Sequence, residues 1–138
     1  MRVTGVDHVA INCKDVEASV AFYSSILGFK RLETVPMEVG LALTYLAIPG
    51  GGRLELFGYK DRVPDRTGDE KEAGLRHLAF AVDSVEGVEK KLREQGVTVT
   101  LPTTDLPSLG ARVILFLDPN GVTVEVAQKI SRQEHKGS

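Results

Sequence analysis

Two histidines and two glutamates recur at matched positions in the two halves of this chain. Residues 8–17 read His-Val-Ala-Ile-Asn-Cys-Lys-Asp-Val-Glu, and residues 77–86 read His-Leu-Ala-Phe-Ala-Val-Asp-Ser-Val-Glu. Further on, each half carries Pro-x-Gly followed by x-x-x-Glu, at Pro49, Gly51 and Glu55 and again at Pro119, Gly121 and Glu125. His8 lies 47 positions before Glu55 and His77 lies 48 before Glu125, so one gap residue aligns the halves. A duplicated unit with one imidazole and one carboxylate per copy can bring two nitrogens and two oxygens to a pseudo-twofold axis. That donor set suits zinc, nickel, cobalt, manganese or iron. With octahedral coordination it leaves two positions for water or substrate.

Each residue taken alone would be unremarkable. A strand histidine is usually hydrogen-bonded and a strand glutamate is usually solvated. Four in register across two copies are harder to explain without a shared task, because buried charge without partners is costly. Arg53, Arg76, Arg112 and Asn12 fall near the same site by spacing and have the chemistry to bind an anionic substrate, although such residues are more often structural. Cys13 reads as a small buried residue. His135 falls in a polar tail and is read as uninvolved.

Strands and helices must hold these side chains. In the first half His8, Ala10 and Asn12 alternate with Val9, Ile11 and Cys13, which marks a half-buried strand over residues 6–13. Asp15 reads as a helix N-cap, Val16, Val20, Tyr23 and Leu27 follow at near-helical spacing, and Gly28 stops the helix. Strands are expected over 29–35, 41–48 and 53–58, with Gly50-Gly51-Gly52 turning the last pair. In the second half a strand over 76–82 places His77, Ala79 and Ala81 on one face and Leu78, Phe80 and Val82 on the other. Asp83 or Ser84 caps a helix running to about Gln95. Strands follow near 97–101, 111–117 and 122–127, the last two joined by Asp118-Pro119-Asn120-Gly121. Bulky residues belong against each unit's own helix, whereas alanines beside His and Glu leave room for a cavity.

Each half therefore reads strand–helix–strand–strand–strand, and the predicted class is α+β with two tandem βαβββ modules. The 138 residues are expected to form one domain, with module 1 over about 5–58, a connection over 59–74, module 2 over about 75–127 and a polar tail over 128–138. A net charge of −2 and scattered basic residues argue against nucleic-acid partners. The apolar runs are too short for a membrane helix and the N-terminal residues carry no signal-peptide pattern. With a single cysteine, a cytoplasmic location is expected.

Several segments together carry a family resemblance: Asp7-His8-Val9-Ala10-Ile11, Phe22-Tyr23 with Leu27-Gly28-Phe29, Leu54-Glu55-Leu56, Arg76-His77-Leu78-Ala79-Phe80, and Asp118-Pro119-Asn120-Gly121 with Glu125. They resemble the vicinal oxygen chelate superfamily, which includes glyoxalase I, methylmalonyl-CoA epimerase, extradiol dioxygenases, fosfomycin-resistance transferases and bleomycin-resistance binders. The resemblance covers residues 5–127. It implies that the two βαβββ modules form a curled mixed sheet around a metal site, with one divalent metal ion per site held by His8, Glu55, His77 and Glu125, a small-molecule substrate and a homodimeric assembly. The modules can pair within one chain or across the dimer. Glu55 favours the lyase and isomerase branches. Asn12 stands where bacterial glyoxalase I typically has arginine, and Tyr59 where it usually has asparagine, which argues against a glutathione adduct as substrate.

The activity expected is that of a divalent-metal-dependent lyase or isomerase of the glyoxalase I or epimerase type, abstracting a proton next to a carbonyl held on the metal. Glu125 is the expected base, because it can leave the metal while carrying the proton, and Glu55 is the symmetric candidate. Two alternatives remain: a ring-cleaving extradiol dioxygenase with ferrous iron on His8, His77 and Glu125, and a non-catalytic small-molecule (drug) binding protein.

Overall fold

Alternation along His8–Cys13 produces strand β1, whose Ile11 and Cys13 are buried while His8, Ala10 and Asn12 face outward. The structure, a computed structural model, describes residues 1–65 and 71–132. His135 and part of the 59–74 connection lie outside the described residues. The chain divides into two compact units, Met1–Arg66 and Thr67–Ser138.

In the first unit β1 leads into α1 (Val16–Leu27), then β2 (Lys30–Pro36), β3 (Leu41–Ala47) and β4 (Arg53–Tyr59). The Asp15 carboxylate accepts from the Ala18 amide at 3.2 Å, satisfying one of the free donors of the first helical turn. Gly28, at φ 71°, ends the helix in a left-handed conformation that glycine adopts without strain. The buried stripe of α1 is Ser19, Val20, Phe22, Tyr23 and Ile26. It is shifted from the expected one, with Val16 and Leu27 only half-buried at the helix ends. The strands pair in the order β1-β4-β3-β2, with β1 parallel to β4 and the other neighbours antiparallel. Leu54 and Leu56 of β4, Leu46 of β3, and Tyr23 and Ile26 of α1 are wholly buried. Burial of each such side chain stabilises the fold by about 1.5–3 kcal/mol.

The second unit repeats this plan with β5 (Leu78–Ala81), α2 (Val85–Glu94), β6 (Val99–Leu106), a 3₁₀ turn (Pro107–Leu109), β7 (Ala111–Leu117) and β8 (Thr123–Lys129). Ser84 is the cap of α2 and accepts from the Gly87 amide at 3.1 Å. Strand order is β5-β8-β7-β6, again with the first pair parallel. The α+β class and the two repeated βαβββ modules are thus as the sequence predicts, each module building its own four-stranded mixed sheet.

Three boundaries differ from expectation. Strand β5 is shorter than 76–82, so His77 immediately precedes it. Strand β6 runs well beyond residue 101 and contains Pro102. An edge strand with a register shift tolerates proline, because the missing N–H would have no partner there. Strand β8 continues to Lys129, so the polar tail begins two residues later than expected. Among the described residues no helix is long and apolar enough to cross a membrane.

Candidate metal and substrate site

Glu55 sits mid-strand on β4, directly between Ala10 of parallel β1 and Tyr45 of antiparallel β3. Its neighbours Leu54 and Leu56 point to the opposite face and are fully buried. The carboxylate therefore lies on the face opposite those two leucines, and Glu55 is only 8% exposed. A buried carboxylate needs partners. The Tyr45 hydroxyl donates to Glu55 Oε2 at 2.5 Å, and His8 Nε2 lies 3.6 Å from Glu55 Oε1. The hydrogen bond to Glu55 holds the Tyr45 hydroxyl above its ordinary value of 10.0, because ionisation would set two negative charges against each other.

His8 is the first residue of β1, and its Nδ1 is 2.7 Å from Asp7 Oδ2. This contact raises the imidazole pKa, with the charge of Glu55 adding to it, and correspondingly lowers that of Asp7. In the neutral ring the same contact favours the tautomer with hydrogen on Nδ1, so Nε2 carries the lone pair toward Glu55. The Arg53 guanidinium lies 4.1 Å from the centre of the Tyr45 ring and is paired with Glu33 at 3.3 Å. Farther along the same face, the Tyr59 hydroxyl donates to Asn12 Oδ1 at 3.0 Å, and the Phe57 and Tyr59 rings are 6.3 Å apart.

The second unit has the same core arrangement with fewer polar supports. Glu125 lies between Ala79 of β5 and Leu115 of β7. His77 Nε2 is 3.7 Å from Glu125 Oε2. Asp7 corresponds to Arg76, which cannot accept from an imidazole. Arg112 is engaged elsewhere, donating to Asp105 at 2.6 Å and to Glu86 at 2.9 Å, so it is a structural residue and not an anion binder for this site. Cys13 is buried, as expected.

The imidazole–carboxylate separations test whether a cation fits. Both exceed hydrogen-bonding length. Donors about 2.0–2.2 Å from one ion stand roughly 2.9 Å apart at the right angle of an octahedral site and roughly 3.4 Å apart at a tetrahedral angle. At 3.6 and 3.7 Å each pair is slightly wider than two ligands of one metal, so both side chains would close in on a bound ion, and each glutamate is in register with an alanine of the neighbouring parallel strand. Among the described residues no three His, Cys, Asp or Glu side chains gather, so each unit provides two donors and no more. Two supporting residues, Asp7 and Tyr45, escaped the sequence reading. Tyr45 was nevertheless detectable: it and Glu55 are equally distant from Gly50, the centre of the hairpin turn, which makes them cross-strand partners.

Comparison with known proteins places this geometry in a family. The model of the Glyoxalase/Bleomycin resistance protein/Dioxygenase superfamily matches residues 5–126. The chain belongs to that superfamily. The Bacillus subtilis protein YwkD is 37% identical over 130 residues, covering 94% of this chain and all of its own. Human mitochondrial methylmalonyl-CoA epimerase is 29% identical, over 89% of this chain and 73% of its own. Among solved structures, the superfamily domain from Frankia sp. EAN1pec is 28% identical with a TM-score of 0.80, covering 97% of this chain and 96% of that one. Such superfamily domains share the fold of two repeated modules.

Proposed function

We propose that the protein is a divalent-metal-dependent lyase or isomerase of the glyoxalase I or epimerase type. The observation that carries this reading is the pair of matched His–Glu couples at 3.6 and 3.7 Å, each with its glutamate beside an alanine of the parallel strand. His8, Glu55, His77 and Glu125 would hold the ion. When bound, the metal supplies Lewis-acid stabilisation of charge developing on a substrate carbonyl oxygen. Glu125 takes the proton from the carbon beside that carbonyl and returns it to the same or the neighbouring carbon. Similarity to an epimerase supports this reading, since epimerisation needs only such a proton removal and return. The Tyr59–Asn12 contact occupies the two positions that disfavour a glutathione adduct, which points to other carbonyl substrates.

The test begins with metal analysis of purified protein, then rebinding after chelation. The expected result is one equivalent of transition metal per His8–Glu55–His77–Glu125 set. Below about a tenth of an equivalent, with no tight rebinding, the non-catalytic binding reading replaces this one. Solvent-deuterium exchange next to the carbonyl in a panel of thioesters and 2-oxo compounds then defines the substrate. The proposal includes a homodimer. Mixing a His8→Ala, Glu55→Ala chain with a His77→Ala, Glu125→Ala chain restores one metal site only if modules pair across subunits.

A further inference from the structure

The two carboxylates proposed above as ligands are not equivalent in their surroundings. Glu55 faces the phenol of Tyr45 across the β3–β4 ladder, and Glu125 faces the aliphatic Leu115 at the same place in the β7–β8 ladder. Tyr45 is itself held, with the Arg53 guanidinium 4.1 Å from its ring centre and donating to Glu33 at 3.3 Å. A chain of contacts thus runs Glu33–Arg53–Tyr45–Glu55 and ends with Oε2 tethered and Oε1 turned toward His8. Of these contacts, the described residues of the second module retain only the one between imidazole and carboxylate.

We infer that Tyr45 is a positioning residue that makes Glu55 the fixed carboxylate of the site and leaves Glu125, opposite Leu115, as the carboxylate free to move. This rests on the metal reading proposed above, in which Glu125 is the base, and goes beyond it by giving Tyr45 the task of holding Glu55. A carboxylate bound through one oxygen to a phenol has a single favourable rotamer from which to offer the other oxygen. A carboxylate beside leucine has no such tether and can swing between a ligand position and a substrate proton. A tethered ligand loses less conformational freedom on binding, so its support is expected to show in affinity.

Zinc-stripped wild type, Tyr45→Phe and Leu115→Met are titrated with Zn²⁺ by calorimetry, with melting of each metal-free chain followed by circular dichroism. Tyr45→Phe keeps the ring and deletes only the hydroxyl. It is expected to weaken zinc binding about tenfold while Leu115→Met stays within about twofold. Wild-type affinity in Tyr45→Phe overturns the inference and leaves the metal reading intact. Failure of wild type itself to bind zinc, or nickel, cobalt, manganese or ferrous iron titrated in the same way, removes the metal reading and this inference with it. Should Tyr45→Phe not fold, side-chain scalar couplings in metal-free wild type decide the matter without a variant. One Glu55 rotamer beside an averaged Glu125 supports fixed and mobile roles, and equal averaging of the two overturns them.

Discussion

The hairpin turn of the first module and that of the second make the same backbone bonds with different chemistry. In the first, the Ile48 amide donates to Gly52 O and the Gly51 amide to Ile48 O, each at 3.2 Å. In the second, the Asp118 amide donates to Val122 O at 3.0 Å and the Gly121 amide to Asp118 O at 3.1 Å. Three successive glycines, all at positive φ, carry the first turn. The buried Asp118 carboxylate braces the second, accepting from the Asn120 and Val122 amides at 2.8 and 2.9 Å. A similar exchange occurs where each helix begins. Gly58 of β4 allows Val16 to approach so closely that a Cβ there would lie 2.5 Å from Val16 Cγ2. At the matching position of β8, Gln128 accepts from the amide of Val85, the first residue of α2, at 2.9 Å. The duplicated backbone is kept while its side-chain support diverges. The same divergence separates Glu55, tethered by Tyr45, from Glu125 beside Leu115.

The largest expected effect follows from that last difference. Glu125→Gln should lower proton exchange on an identified substrate by about 10²–10⁴-fold, the usual contribution of a general base. Glu55→Gln should act mainly through weaker metal binding and recover substantially at saturating metal. Steady-state exchange rates measured across metal concentrations separate the two. Equal losses at saturating metal would show that the modules share the base role.

Next come the turns. Asp118→Ala leaves buried amides of the second turn without acceptors and should cost about 3 kcal/mol, read from urea unfolding. Gly50→Ala in the first turn places a side chain at φ 90°, with no atom in its way, and should cost about 1–2 kcal/mol through backbone strain alone. A larger loss in the glycine turn would contradict the view that side-chain bracing has replaced conformational freedom in the second.

Helix starts should respond more mildly and by different routes. Gly58→Ala forces the stiff β-branched Val16 aside, at about 1–3 kcal/mol. Gln128→Leu keeps bulk and removes an acceptor, at about 1 kcal/mol. Gly58→Ala combined with Val16→Ala should recover most of the loss, because the second change removes the atom in the way. No recovery in urea unfolding would place the cost elsewhere.

The elements most legible in the sequence were those whose punctuation is local. Asp15, Gly28 and the two hairpin turns marked their boundaries because caps and turns are encoded within a few residues. The faces of β1 and β4 were readable from alternation, which put His8 and Glu55 on one side. Pro102 concealed the length of β6, since proline counts against a strand until the strand is known to lie at an edge. Gln128 and Lys129 looked like tail because their value lies in contacts outside their own segment. Tyr45 was overlooked for the same reason: its hydroxyl matters only through a partner across a ladder. A structural use of Arg112 was the expected one, but its partners Asp105 and Glu86 were not legible, because spacing alone cannot name them.

The smallest effect separates the two histidines by what precedes them. Asp7 holds His8 Nδ1, whereas Arg76 precedes His77 and cannot. In metal-free protein the Asp7 bond, helped by the charge of Glu55, raises the His8 pKa above 6.5, and the same bond lowers that of Asp7 below 3.8. The signs set a window. Protonated His8 is favoured by folding, so its contribution is present in full below pH 6.5 and fades as pH rises through the raised folded value. Ionised Asp7 contributes above pH 3.8 and fades as pH falls through its lowered value. The pair therefore helps most between those limits, and only slightly, because both groups are solvated. Asp7→Asn should move the His8 titration midpoint downward, followed by the pH dependence of its Cε1–H resonance, and should reduce the fall in stability as pH rises above 6.5. An unmoved midpoint would mean that Asp7 does not set the state of His8, and the two histidines would then differ in sequence context alone.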